Sequence, residues 1–255
     1  MSSSAAIVSS NELPYSFHAY EYTISGYRLN YSFKKAILSL FDSRHNEFWM
    51  IWSDIFPCMY FCMCYSNLLM SEYCLRIEFH LLYFGLITSR ACSAIYHIFN
   101  CLSCDIQNRL IYLDLIGISN MALSTPVIYL SVFNKVSYND FYITFMFSNY
   151  ALSLCVFMYS MIFNVSIKNV MPYCQAILVF MAFIACSPFV FVNLNMQLWN
   201  YYVSMIVLSF GFVIYITNFP ERLMNLGAAD GRIWNSHVLW HCFVSLSQYF
   251  YIYYI

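Results

Sequence analysis

The chain has 255 residues, 62% of them hydrophobic and 9% charged, with a formal net charge of −1. Ordinary soluble domains carry about 25% charged residues, so this composition excludes a water-soluble globular domain and points to lipid as the solvent. No basic stripe is present, which excludes nucleic acid as a partner. The 11 cysteines do not suggest a disulfide scaffold. Most of them, such as Cys62, Cys155, Cys174 and Cys186, sit inside apolar runs, where Cys behaves as a small hydrophobe.

In chain order, residues 1–15, "MSSSAAIVSSNELPY", have no basic segment and no long apolar core. They are not a secretory signal, and the N-terminus is expected to stay in the cytosol. Residues 13–45 are less apolar. With Trp49 and Trp52 three apart behind them, this stretch is expected to form an amphipathic helix on the inner membrane face. Residues 1–48 are therefore predicted to be a cytosolic N-terminal region, and 49–255 a seven-helix transmembrane domain.

Apolar runs long enough to cross a bilayer, about 20 residues each, occur at 52–71, 78–99, 109–131, 140–162, 173–192, 199–218 and 236–255. The fold class is thus all-α integral membrane, a seven-transmembrane helix bundle. With the N-terminus inside, the inner segments hold Arg28, Lys34, Lys35, Arg44, Arg109, Lys168, Arg222 and Arg232, and the outer segments hold only Arg76 and Lys135. That asymmetry predicts a cytosolic N-terminus and a C-terminus outside. Sequons at Asn30 and Asn164 then face the cytosol and should carry no glycan.

Ionisable groups inside a span are costly, at least ~2.5–3.5 kcal/mol for a central charge on insertion scales. Four such groups fall within one or two turns of the inner boundary. His97 ends the second span, Asp114 lies about a turn into the third, and His237 and His241 open the seventh. The spacing of His237 and His241 puts both on one helix face. A lone histidine in a span is more often a helix–helix hydrogen bonder. Three at one depth beside a carboxylate favour a metal. Three histidines leave a fourth tetrahedral position open, the arrangement of a catalytic zinc. Ser93, four residues before His97, shares its face. Asp114 fits either a direct ligand or a group orienting a bound water or a ligand's N–H, and the spacing leaves that choice open. Arg90, seven residues before His97, has four readings: binding an anionic lipid group, pairing with a carboxylate, snorkelling to the interface, or sitting in a water pocket. "CLSC" at 101–104 is a weak metal or redox signal.

The residues resemble a known family. "LPYSFHAYEYTISGYR" with "SLFDSRHNEFWMIW" is similar to the amino-terminal signature of the progestin and adipoQ receptors. "SAIYHIF", "LDLIGIS", "PER" and "SHVLWH" follow in the order of that family's later spans. The wider superfamily, which takes in alkaline ceramidases, shares S-x3-H, an Asp and H-x3-H, here Ser93 with His97, Asp114, and His237 with His241. The resemblance implies seven helices with the N-terminus inside and a zinc near the inner leaflet. It implies His97, His237 and His241 as ligands, with Asp114 holding the metal-bound water. It also implies a receptor-like role toward lipid, steroid or adipokine-type (peptide hormone) ligands, with hydrolysis of ceramide-like amides. The sequence departs from the pattern at Met50, where Asn is usual, and at Ser53-Asp54, where Thr-His is usual. It departs again at Leu102, where a His is usual, and at Arg90, an unusual charge for its span.

Three functions follow as expectations. The first is a receptor whose ligand shifts helix packing and whose residues 1–48 report to a cytosolic signalling partner. The second is a zinc-dependent lipid amidase, with Asp114 handling the proton and Ser93 the tetrahedral oxygen. The third is a non-catalytic scaffold that tethers a partner through the N-terminal region. A haem or quinone protein using the same histidines is a weaker fourth. The plasma membrane or the Golgi/endomembrane system is the expected location.

Overall fold

The computed structural model describes residues 6–133, 140–166, 199–224, 227 and 230–252. Two short strands, β1 (Ala6–Val8) and β2 (Tyr27–Leu29), pair antiparallel with Ile7 opposite Arg28. All three residues of β2 are buried. A short helix, α1 (Phe33–Leu38), follows. Ser32 caps it by accepting the Lys35 N–H at 3.2 Å, which satisfies one of the donors that every helix start leaves open.

Helix in the stretch 13–45 is confined to α1 and one tight turn at Ser39–Phe41, rather than running through it as expected. The reason is local hydrogen bonding. The Tyr20 N–H donates to the Tyr27 hydroxyl at 2.9 Å, and the Ser25 N–H donates to Asp230 at 2.7 Å, so these groups find partners without a helix. Gly26 sits at φ +85°, and a Cβ there would meet the Asn46 backbone nitrogen at 2.8 Å. Phe33, Leu38 and Phe41 nevertheless point outward and stay exposed. Trp49 and Trp52 belong to the next helix.

That helix is α2 (Phe48–Leu69), followed by α3 (Ile77–Phe99), α4 (Cys104–Phe133), α5 (Asp140–Ile162), α6 (Trp199–Thr217) and α7 (Ser236–Ile252). Each coincides with one of the expected apolar segments. The expected segment 173–192 lies outside the described residues. By length and apolar composition, the helical stretch Trp199–Leu223 is long enough to cross a membrane.

Helix α2 packs on α3 and α7, α3 on α4, α4 on α5, and α6 on α7. Phe61, Leu68, Phe79, Leu82 and Leu86 fill the space between α2 and α3, and Tyr112, Leu115, Ile116 and Phe157 that between α4 and α5. Gly117 permits the close approach of α4 to α3, since a Cβ there would stand 3.0 Å from both the Cys92 Cβ and the Ser89 Cα. Such small residues at helix contacts let backbones approach closely.

The start of α7 is fixed by Glu221 in the preceding connector. Its carboxylate accepts the Ser236 N–H at 2.9 and 3.0 Å and also the Ser236 hydroxyl. A negative charge at a helix N-terminus is favourable. The Asn235 side chain accepts the His237 N–H at 3.0 Å. These two caps set the rotation of α7, and with it the direction in which its histidines face.

Candidate metal centre

The last turn of α3 and the first two turns of α7 meet at one end of the bundle, because both helices lie against α2. This brings His97 together with His237 and His241. The ring centroids stand 5.2 Å (His97–His237), 5.0 Å (His97–His241) and 5.0 Å (His237–His241) apart. One nitrogen from each ring falls within 4.8 Å of the others.

The hydrogen bonding around these rings fits a cation. His97 Nε2 and His237 Nδ1 are buried without a partner, a costly state for polar atoms unless something binds them. His97 Nδ1 is 2.6 Å from Glu47 Oε2. His241 Nδ1 lies 3.2 Å from the Ser53 hydroxyl and 3.0 Å from Asp54 Oδ2. Histidines that bind metals almost always engage a carboxylate, carbonyl or water through the other ring nitrogen. Three neutral imidazoles are a donor set suited to zinc.

Asp114, from α4, lies beside Ser93 and close enough to His97 and His241 to interact with their charges. Its Oδ1 is buried without a partner. Ser93 is itself buried on α3. The five residues expected to form the site are thus gathered from α3, α4 and α7. Aromatic rings enclose it: Tyr20 and Tyr215 each lie 5.3 Å from the His237 ring, and Tyr96 lies 4.9 Å from that of His97.

The N-terminal region closes the site from its own end. The Arg28 guanidinium, buried, donates to the His97 carbonyl at 2.5 Å, to Asn100 Oδ1 at 3.3 Å and to the Ser39 hydroxyl at 2.7 Å. Burial pushes the Glu47 carboxyl up, but the hydrogen bond to His97 and the charges of His97, Arg28 and His45 outweigh it and hold it below the ordinary carboxylate range. Burial, reinforced by the Arg28 charge, pushes the neighbouring His45 down to about 4.

Arg90 pairs with a carboxylate, the second of its four readings. Its Nη1 donates to Asp54 Oδ1 at 2.9 Å and its Nε to Gln248 Oε1 at 2.8 Å. The cysteines of "CLSC" are engaged separately. Cys101 is buried beside Tyr31 and Ala36, and Cys104 Sγ lies 2.8 Å from the Ser16 hydroxyl.

Sequence reasoning missed Glu47 and Asp54 as part of the site. The available signal was their spacing of seven, which puts two carboxylates on one face at the mouth of an apolar helix.

No curated protein matches the chain. A family model described as haemolysin-III related matches residues 42–252, a span that contains every histidine, carboxylate and serine of the centre. This model is that of the progestin and adipoQ receptors. The chain therefore belongs to the haemolysin-III related family of membrane proteins, and its described residues include a three-histidine cluster able to hold a metal ion.

Proposed function

We propose that the protein is a multi-pass, seven-helix receptor-like membrane protein. In this reading it holds zinc near the inner leaflet, responds to a lipid or steroid-type ligand, and hydrolyses ceramide-like lipid amides. The observation that carries the reading is the convergence of three imidazoles with two orphaned ring nitrogens beside the unpartnered Oδ1 of Asp114. A zinc ion held there, when bound, acidifies water and polarises a carbonyl.

The chain's own residues supply the rest. In this reading Asp114 accepts the proton of a water that attacks the amide carbon, and returns it to the departing amine as the C–N bond breaks. The Ser93 hydroxyl, in the same reading, donates to the oxygen that gains charge in that step. Tyr20, Tyr96 and Tyr215 restrict access by bulk water, which strengthens each of these interactions.

The receptor component rests on Arg28. Its guanidinium joins the N-terminal region directly to the backbone of His97, so a ligand that moves α3 shifts the surface offered by residues 1–48. A difference in affinity between the two packings would drive that shift.

The test is metal content and turnover of the purified full chain. One zinc per chain in the wild type, and none in the His237→Ala, His241→Ala double variant, supports the centre. Ceramide turnover that His97→Ala abolishes supports the hydrolase. Wild-type protein without stoichiometric zinc removes the whole reading. Zinc-loaded protein as inert toward ceramide as His97→Ala leaves the receptor component alone.

A further inference from the structure

We propose that Asp54 and Arg90 are positioning residues: a buried charge pair on α2 and α3 that holds the His241 imidazole in its metal-binding orientation. The inference rests on the zinc reading above.

Helix α2 contributes no imidazole to the centre, yet Asp54 is completely buried on it. Its two oxygens have separate tasks. Oδ1 accepts from Arg90 Nη1 at 2.9 Å, and Oδ2 stands 3.0 Å from His241 Nδ1. With Nδ1 engaged, the opposite nitrogen of His241 is left to the three-histidine cluster. Arg90 in turn reaches α7 twice. Its Nε donates to Gln248 Oε1 at 2.8 Å, and its Nη1 lies 3.5 Å from the His241 carbonyl. Gln248 is two turns beyond His241 on the same helix. Its Nε2 donates to the Ser89 hydroxyl at 3.3 Å, which closes the loop back to α3.

A buried ion pair is weak evidence for stability, because desolvation can exceed the Coulombic gain. This one is arranged for orientation. Arg90 fixes the rotation of the carboxylate, and the carboxylate, at ion-pair distance from Nδ1 (3.0 Å) beside the Ser53 hydroxyl that bonds it at 3.2 Å, favours one rotation of the imidazole. The other charged groups around the cluster are Glu47 on His97, Arg28 on the His97 carbonyl, and Asp114 beside Ser93. Among the described residues, Asp54 and Ser53 are the groups that meet His241 Nδ1, so its orientation falls to them.

Positioning and plain electrostatics predict opposite results for Arg90. If charge alone matters, removing the guanidinium leaves more negative charge near a dication and tightens zinc. If positioning matters, Arg90→Gln frees Asp54 and weakens zinc. Asp54→Asn combined with Arg90→Gln keeps the net charge of the pair at zero, so a pure charge effect cancels.

The experiment measures zinc affinity of the full chain in lipid nanodiscs, by competition with a chromophoric chelator. The visible spectrum of the cobalt-substituted protein serves as a second readout. Expected are a loss of about 10–100-fold in zinc affinity for Asp54→Asn and for the double variant, a smaller loss for Arg90→Gln, and shifted cobalt bands in all three. Tighter zinc in Arg90→Gln, or wild-type affinity and spectrum in the double variant, overturns the proposal. If Asp54→Asn fails to fold, the charge-balanced double variant decides. Wild-type protein without zinc, or His241→Ala that retains it, instead marks failure of the metal centre, and the positioning role falls with it.

Discussion

Glu47 Oε2 lies 2.6 Å from His97 Nδ1, so the residue just before α2 sets the orientation of the histidine that ends α3. The contact is buried on both sides and charge-assisted. Its effect is to leave His97 Nε2 as the free nitrogen of that ring, which is the atom found buried without a partner. Replacement of Glu47 by Gln preserves shape but removes the charge and offers Nδ1 either a donor or an acceptor. Zinc affinity is expected to fall about 10–100-fold, the usual effect of altering a group behind a metal-binding histidine. Chelator competition checks this, and wild-type affinity in Glu47→Gln would remove Glu47 from the site.

The imidazoles were legible in the sequence because helix geometry ties chain spacing to depth. His97, His237 and His241 each lie near one end of an apolar run, and a fixed rise per residue places them at one level. The groups behind them were not legible. Glu47 stands at a segment boundary, where a charge looks like an ordinary membrane-surface residue. Asp54 and Arg90 look like two separate anomalies until α2 and α3 are packed together. The N-terminal stretch misled for a related reason. Its lower apolarity ahead of Trp49 and Trp52 suggests one amphipathic helix, but the chain is folded back by tertiary partners, Asp230 for the 24–25 backbone and Arg28 for Ser39. Spacing alone does not encode such partners.

Arg28 makes the N-terminal region and the bundle one unit. Three donors from one buried guanidinium reach Ser39, Asn100 and the His97 carbonyl. Hydrogen bonds involving a charged group contribute about 1.5–3 kcal/mol each, and leaving their partners unsatisfied adds to the loss. Arg28→Met should therefore lower the melting temperature and expose residues 1–45 to protease, while the helical core stays intact. Limited proteolysis with mass spectrometry checks both parts. A cleavage pattern identical to wild type would show that the N-terminal region docks by other contacts.

His45 is the expected source of an acid sensitivity separate from the three-histidine cluster. It is buried, and its Nε2 lies 2.9 Å from the Ser39 carbonyl. Burial, with the Arg28 charge as the next cause, lowers its pKa from 6.5 to about 4. The unfolded chain takes up a proton as pH falls through about 6.5, while the folded chain does so only near 4. Stability from this group is thus complete above pH 6.5 and is lost progressively between the two values, on the order of 3 kcal/mol in total. Melting temperature measured from pH 7.5 to 4.5 should fall more steeply for wild type than for His45→Gln. Equal slopes would show that His45 does not supply the acid sensitivity.

Asn164 links the topology to the structure. Its Nδ2 donates to Asp105 Oδ1 at 2.9 Å, at the start of α4. The neighbouring residues Cys104 and Gln107 contact Ser16 and His18 of the N-terminal region. Asn164 and the N-terminus therefore share one end of the bundle, and any membrane orientation must put both on the same side. The proposed orientation has the N-terminus in the cytosol, where the sequon at Asn164 is out of reach of the glycosylation machinery. Expression in mammalian cells should give protein whose mobility glycosidase does not change, while a sequon-bearing tag added after Ile255 should be modified. A glycan at Asn164 would invert the proposal and move the three-histidine centre to the outer leaflet with it.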